Sequence, residues 1–244
     1  MNKKTILLLP SLNEREGLEY IYPKIDKELF YKIVVVDGNS KDGTKEWCLQ
    51  NNIEIFTQTN KGLRAALTEY LSSITEQVDF ILTFSPDGNC DPKTLPGFMN
   101  ILNSSTDVDL IIGSRYAQNF SSADDSFITN LGNRFFTKLC NFLFSSKFTD
   151  VFSIYRAFNP EIIKKLSLDD EKSYRFLEKL LSTNIPWEPL MSYRVAKYKR
   201  SWIDVGVGEP KRISGERKLQ IVRWGLAFFL QLCRETWYKP KSMI

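Results

Sequence analysis

Five short apolar runs punctuate the first half of this chain: Thr5–Leu9, Lys32–Val36, Ile53–Thr57, Phe80–Phe84 and Asp109–Ser114. Each is too short for a buried helix, and the segments between them carry helical periodicity. Successive apolar residues without polar alternation suit strands covered on both faces, as in a parallel sheet. The alternation of strand and helix therefore predicts a doubly wound α/β layer, a mixed sheet with mostly parallel strands. Asn13 is the expected N-cap of the first helix, which should run to about Leu29.

In such a sheet, ligands bind outside the carboxyl ends of the strands. Here those ends carry Pro10–Glu14, Asp37–Ser40, Asp87–Asn89 and Gly113–Tyr116, all polar, and all should meet in one crevice. The stretch Phe80–Pro92 (FILTFSPDGNCDP) is the most pointed of them. Asp87 and Asn89 are two positions apart, so in extended backbone they face the same side and offer oxygen ligands to a hard divalent cation with a diphosphate. The competing reading is a plain turn, since Pro-Asp-Gly-Asn is strong turn chemistry. No GxGxxG follows the first strand and no GxxxxGK[ST] occurs, which disfavours a dinucleotide fold or P-loop.

Composition narrows the chemistry. The 244 residues include no histidine, which removes His-based triads, imidazole acid–base catalysis and His metal ligands. A metal would have to sit on oxygen, which favours Mg²⁺ or Mn²⁺ over zinc. The four cysteines are scattered without a CxxC pair, so a zinc site or redox motif is unsupported and free thiols are expected. A net charge of +4 gives no argument for nucleic acid. The N-terminal apolar run is too short for a signal peptide and no run approaches the length of a membrane span, so a cytoplasmic protein is expected.

Beyond Tyr116 the pattern changes. Ser121–Asp125 reads as a polar loop, Phe127–Phe148 as a Phe-rich amphipathic helix and Asp150–Phe158 as an extended segment. Helices are expected near Pro160–Leu166, Ser173–Leu181 and Glu188–Lys199, then a strand at Ser201–Val207 and a Gly-rich basic loop, Gly206–Lys218. Leu219–Trp237 closes the chain as a helix with a strong apolar face. The division expected is 1–218 as the α/β domain and 219–244 as a C-terminal amphipathic helix and tail. That helix reads as core or dimer packing, with a membrane-surface anchor as the alternative because of its aromatic and basic content.

Several segments, in order over residues 5–220, resemble family 2 glycosyltransferases of the GT-A fold, in the dolichol-phosphate mannose synthase-like branch. They are Pro10-Ser11-Leu12-Asn13-Glu14, Val34–Ser40 with Asp42-Gly43-Thr44, Lys61-Gly62-Leu63, Ser85–Asn89, Gly113-Ser114-Arg115-Tyr116, Thr149-Asp150 with Ser153 and Arg156, and Arg212 with Gly215 and Lys218-Leu219. The resemblance implies an inverting, metal-dependent enzyme. It would move a sugar from a nucleotide-sugar donor to a polyprenyl-phosphate or cell-envelope glycan acceptor; the C-terminal helix leaves both peripheral contact at the inner face of a membrane and a homodimer open. It assigns Pro10, Leu12, Glu14, Asp37, Lys61, Ser85 and Arg115 to the nucleotide sugar and Asp87 and Asn89 to the metal. It assigns Asp150 and Arg156 to the acceptor side of the reacting centre, and Arg212 and Lys218 to a basic loop over the phosphates.

Two positions depart from that pattern. The family usually carries Asp-x-Asp after the fourth strand, and here the first of the pair is Ser85. The synthase branch has a second arginine near the start of the Phe-rich helix, where this chain has Asp124 and Asp125. The alternatives are a catalytically weak sugar-nucleotide-binding subunit, which Ser85 favours, and a sugar-nucleotide nucleotidyltransferase, for which LPSLNEREG is a poor phosphate loop. A phosphate acceptor is already anionic and needs no strong base; a hydroxyl acceptor needs a carboxylate, for which Asp150 is the first candidate and Asp124 and Asp125 the reserves. Each assigned residue also has a plainer reading. Asp37 could cap its own turn, Asp150 could be an N-cap or ion-pair partner, Arg156 a buried structural ion pair, and Arg212 and Lys218 solvated surface.

Overall fold

The computed structural model describes residues 2–213 and 221–240. In chain order the elements are β1 (Thr5–Ser11), α1 (Arg15–Ile21), β2 (Lys32–Asp37), α2 (Thr44–Gln50), β3 (Glu54–Thr57), α3 (Leu63–Ser73), β4 (Phe80–Thr83), α4 (Leu95–Ser104) and β5 (Leu110–Ser114). There follow α5 (Phe127–Phe144), β6 (Arg156–Phe158), α6 (Glu161–Lys165), α7 (Arg175–Leu181), α8 (Trp187–Lys197), β7 (Trp202–Gly206) and α9 (Ile221–Glu235). Lys218 and Gly215, both expected in the basic loop, lie outside the described residues.

The strands form one mixed sheet in the order β3-β2-β1-β4-β6-β5-β7. β1 to β4 are mutually parallel, and β6 is antiparallel to both of its neighbours. Two reversals restore direction, so β5 and its parallel partner β7 run the same way as β4. The carboxyl ends of β1, β2, β4, β5 and β7 therefore open on one side, as the apolar runs and their polar tails require.

The pleat divides the core. Ile6, Leu8, Val34, Val36, Ile81 and Ile112 face a cluster that includes α3 and α5 to α9. Leu7, Leu9, Val35, Leu82 and Ile111 face the cluster of α1, α2 and α4. Strands this apolar have no solvent face, because helices cover both sides. α8 is buried from Trp187 to Ala196, and α9 lies across it with contacts to α5 and α7. Ala227, Phe228 and Leu232 of α9 belong to the main core cluster, and Glu235 pairs with Arg194 of α8 at 2.9 Å.

Three local expectations are corrected. Asn13 does not cap a helix: it sits at φ 56°, its N–H donates to Ser40 Oγ and its side-chain oxygen accepts from Lys41 N at 2.7 Å, tying the β1 loop to the β2 loop. α1 ends at Ile21, not near Leu29, and two 3₁₀ turns (Tyr22–Lys24 and Lys27–Leu29) follow. Pro23 lacks the N–H that another helical turn would need. α5 stops at Phe144 rather than Phe148, closed by Ser145 in the left-handed region at φ 48°.

Candidate active site

After β4 the chain turns sharply through Ser85–Asn89. Asp87 Oδ1 accepts from the Ser85 hydroxyl at 2.8 Å and from the Asn89 N–H at 3.1 Å, so the turn chemistry read from Pro-Asp-Gly-Asn is present. The turn also places both side chains inward: Asp87 and Asn89 are buried. Gly88 permits it at φ +83°, and a Cβ there would lie 2.8 Å from the Ile213 side chain. Ile213 N donates to the Asp87 carbonyl at 2.9 Å, which seats the segment after β7 on this turn. The Asn89 Nδ2 donates to Glu209 Oε1 at 3.2 Å, while its Oδ1 is buried with no hydrogen-bond partner among the described residues.

Two arginines flank the turn. Arg115, at the end of β5, forms a bidentate pair with Asp150, Nε to Oδ2 at 2.6 Å and Nη2 to Oδ1 at 2.8 Å. Asp150 also accepts from the backbone N–H groups of Phe152 and Arg115, at 3.0 and 3.3 Å. Burial alone would raise its pKa; the Arg115 charge and these hydrogen bonds outweigh it and hold the carboxyl below the usual range. Burial works against the Arg115 charge too, and Asp150 reverses it, leaving Arg115 firmly protonated. Arg212 pairs with Asp124 at 3.0 Å and approaches Asp87 Oδ2 at 3.4 Å. Its charge is strengthened by Asp124 and Asp87 against the cost of burial, and Glu14 contributes as well.

Beside Asn89 and Arg115 lies a cavity of about 130 Å³ lined also by, among others, Ser153, Tyr155, Gly208 and Glu209. Glu209 is largely buried; this raises its pKa to about 7 against the pull of Arg115 and the Ser122 hydroxyl. At the neighbouring strand ends, Asp37 is buried and accepts from Asn39 N at 3.1 Å and Ser40 N at 3.2 Å. It thus fixes its own loop, as the plainer reading had it, at a position in register with Ser11 of β1. Pro10 and Leu12 line the same edge with Leu12 exposed, Glu14 is buried, and Lys61 is exposed ahead of α3.

The structure thus gathers Ser85, Asp87, Asn89, Arg115, Asp150 and Arg212, with Glu14 in electrostatic reach. It does not bring Arg156 to the cavity. That guanidinium is fully buried and donates to the carbonyls of Ser153 at 2.7 Å and Glu188 at 3.0 Å, and to Ser192 Oγ at 3.3 Å. Burial lowers its pKa to about 10, with Glu188 and Asp150 opposing. Arg156 is a core residue here rather than a group at the reacting centre, because β6 turns its side chain toward α8. Asp150 is likewise committed, as the partner of Arg115, and offers no idle carboxylate to take a proton. The residue that sequence reading missed is Glu209. Its signal was available: a lone acid just past the strand end at Gly206, the same strand-end rule applied elsewhere.

The oxygen set suits a hard cation only in part. Asp87 and the unpartnered Asn89 Oδ1 fit one, whereas no group of three or more His, Cys, Asp or Glu among the described residues could hold a metal by itself. The remaining ligands would have to come from a bound diphosphate.

A family model described as "Glycosyl transferase family 2" matches residues 7–167. The chain belongs to glycosyl transferase family 2. It is therefore a glycosyltransferase, and the nucleotidyltransferase alternative falls away. Undecaprenyl-phosphate mannosyltransferase of Micrococcus luteus is 23% identical over 244 residues, covering 92% of this chain and 95% of that one. Glycosyltransferase AglJ of Haloferax volcanii is 26% identical over 165 residues, 68% of this chain but 53% of that protein's length. Among solved structures, glucosyl-3-phosphoglycerate synthase of Mycobacterium tuberculosis, in complex with Mn²⁺, UDP and phosphoglyceric acid, superposes with a TM-score of 0.69 at 15% identity. That likeness covers 98% of this glycosyltransferase and 80% of the other chain, and it is one of fold, GT-A.

Proposed function

We propose that this glycosyltransferase transfers a sugar, with inversion, from a nucleotide-sugar donor to a polyprenyl-phosphate acceptor, using Mg²⁺ or Mn²⁺. The observation that carries the reading is the Asp87–Asn89 turn, with its unpartnered buried oxygen, set between Arg115 and Arg212. Oxygen ligands for a cation next to two fixed cations are what a departing nucleoside diphosphate needs. Asp87 and Asn89 would hold the metal, which when bound neutralises charge developing on the leaving diphosphate. Arg115, oriented by Asp150, presents its outer Nη1 to the cavity, and Arg212 covers the turn from the β7 side. Lys218, outside the described residues, is assigned to the phosphates by the family resemblance. Pro10, Leu12, Glu14 and Asp37, with Lys61, would bind the nucleoside at the neighbouring strand ends. Ser85 orients Asp87 through its hydroxyl.

A phosphate acceptor fits the absence of an idle carboxylate at Asp150, because an anionic oxygen needs no proton removed. The surface of α5, α7 and α9 supports a lipid-borne acceptor. Phe127, Ile128, Leu131, Phe135, Phe176, Val222 and Leu226 are exposed there. The exposed charged residues of these helices are all basic (Arg134, Lys138, Arg175, Lys179 and Arg223), while the acids Glu178 and Glu235 turn inward to Arg64 and Arg194. Such a face suits an anionic bilayer surface, on which the protein would rest peripherally at the cytoplasmic side. No helix among the described residues is long and apolar enough to cross a membrane.

The test is direct. The purified protein is incubated with UDP- and GDP-sugars, Mn²⁺ and undecaprenyl phosphate in anionic vesicles. Release of nucleoside diphosphate and a product of inverted anomeric configuration are expected. Donor-induced thermal stabilisation with no release of diphosphate would instead make this a binding subunit. Product formed only on a glycan hydroxyl would overturn the lipid acceptor, and a dimer that ignores vesicles would reassign the apolar face.

A further inference from the structure

We infer that Glu209 is a ligand of the cation site and supplies the second carboxylate that Ser85 lacks; this rests on the metal-assisted reading above. A hard dication bound beside a diphosphate draws its affinity from the number and charge of its oxygen ligands. The β4 turn offers one carboxylate, Asp87, and one amide oxygen, Asn89 Oδ1, which is buried with nothing bonded to it among the described residues. The other end of that amide donates to Glu209 Oε1 at 3.2 Å, so the carboxylate of the β7 loop and the unpartnered oxygen of the β4 turn share one side chain. Asn89 and Glu209 both line the cavity.

Glu209 is not a surface acid that happens to lean inward. Its N–H donates to the Ser121 carbonyl at 3.1 Å and its own carbonyl accepts from Ala123 N at 2.7 Å, which pins the backbone on both sides. Its Oε2 accepts from the Ser122 hydroxyl. The side chain is 13% exposed, and its ion-pair partner within reach, Arg115 Nη1, stands at 4.0 Å, beyond hydrogen-bond distance. A buried carboxylate with a distant counter-charge is costly unless something positive arrives. The plainer role, an anchor for residues 121–123, accounts for Oε2 and the backbone bonds, but not for the orphaned oxygen of the amide whose nitrogen donates to Oε1.

The experiment measures Mn²⁺ binding to the full-length protein, from the EPR signal of free Mn²⁺, alone and with UDP or GDP. Glu209→Gln keeps an acceptor for Asn89 and removes the charge. It is expected to weaken Mn²⁺ binding on the order of tenfold or more, with its melting temperature in EDTA unchanged. Adding Ser85→Asp to Glu209→Gln places a carboxylate back within the turn and is expected to recover most of the affinity. Wild-type Mn²⁺ affinity in Glu209→Gln would overturn the inference while leaving the metal-assisted reading intact. A lowered melting temperature in EDTA without rescue by Ser85→Asp would make Glu209 a structural anchor. If wild type binds no Mn²⁺ with either nucleotide, the metal-assisted reading falls first.

Discussion

Arg194, fully buried, and Arg115, partly buried, are both paired with a carboxylate, and they do opposite things with their hydrogens. Arg194 uses all five N–H groups: Nε and Nη2 go to Glu235 at 3.1 and 2.9 Å, Nη2 also to Ser173 Oγ at 2.8 Å, and Nη1 to the carbonyls of Leu166 and Ser167 at 2.7 and 2.8 Å. Arg115 spends Nε and Nη2 on Asp150 and leaves Nη1 toward the cavity, 3.8 Å from Asp125 and 4.0 Å from Glu209. A saturated guanidinium is architecture. A guanidinium held rigidly along one edge, with donors left over, is a site. Arg156, with its contacts to backbone carbonyls, stands with Arg194.

The contrast can be broken by mutation. Arg194→Met leaves Glu235 in the core with Lys197 at 3.7 Å as its remaining counter-charge and should cost about 3 kcal/mol of stability, read from urea unfolding, with unchanged turnover per folded molecule. Lost turnover in the folded fraction would dissolve the distinction. Arg115→Gln should lower turnover by roughly 10²–10³-fold. The double variant Arg115→Gln/Asp150→Asn should regain stability without regaining turnover, and parallel recovery of both would make Arg115 structural. Asp204 sits between the two classes, feeling Asp150 and Arg156, and burial raises its pKa to about 6. Its neutral form is the one the fold prefers, so its contribution is complete below pH 4 and is lost as pH rises through 6. Asp204→Asn should therefore stabilise the protein by up to about 3 kcal/mol at pH 8 and by nothing at pH 3.5; equal melting shifts at both pH values would refute the sign. Arg212→Ala, which removes a partly exposed pair, should cost about tenfold in turnover and under about 1 kcal/mol in stability, checked by steady-state kinetics beside thermal melts.

Much of this was legible beforehand. The apolar runs announced the parallel strands because strands buried on both faces leave no polar alternation. The convergence of their polar ends follows from shared strand direction alone. What could not be read was long-range satisfaction. Arg156 stands in the apolar stretch DVFSIYRAF, and only the fold brings the carbonyl of Glu188, from α8, to receive it. The turn residue Asn13 looked like a cap because Asn serves both roles, and its positive φ decides between them. The place of β6 was hidden for the same reason: a three-residue strand pairs with neighbours some seventy and forty-five positions away in sequence.

That short antiparallel strand carries a further implication. β4 and β5 share no ladder among the described residues, so the strand pairing that joins the β1–β4 half of the sheet to the β5–β7 half runs through β6, with Tyr155 and Asn159 adding backbone bonds to Gly113 and Asp109 and the Ile213–Asp87 bond lying outside the strands. The sheet is a pair of panels stitched along one narrow seam. A proline at Ala157 would therefore be felt by both halves at once, because that residue is paired with Leu82 on one side and Ile111 on the other.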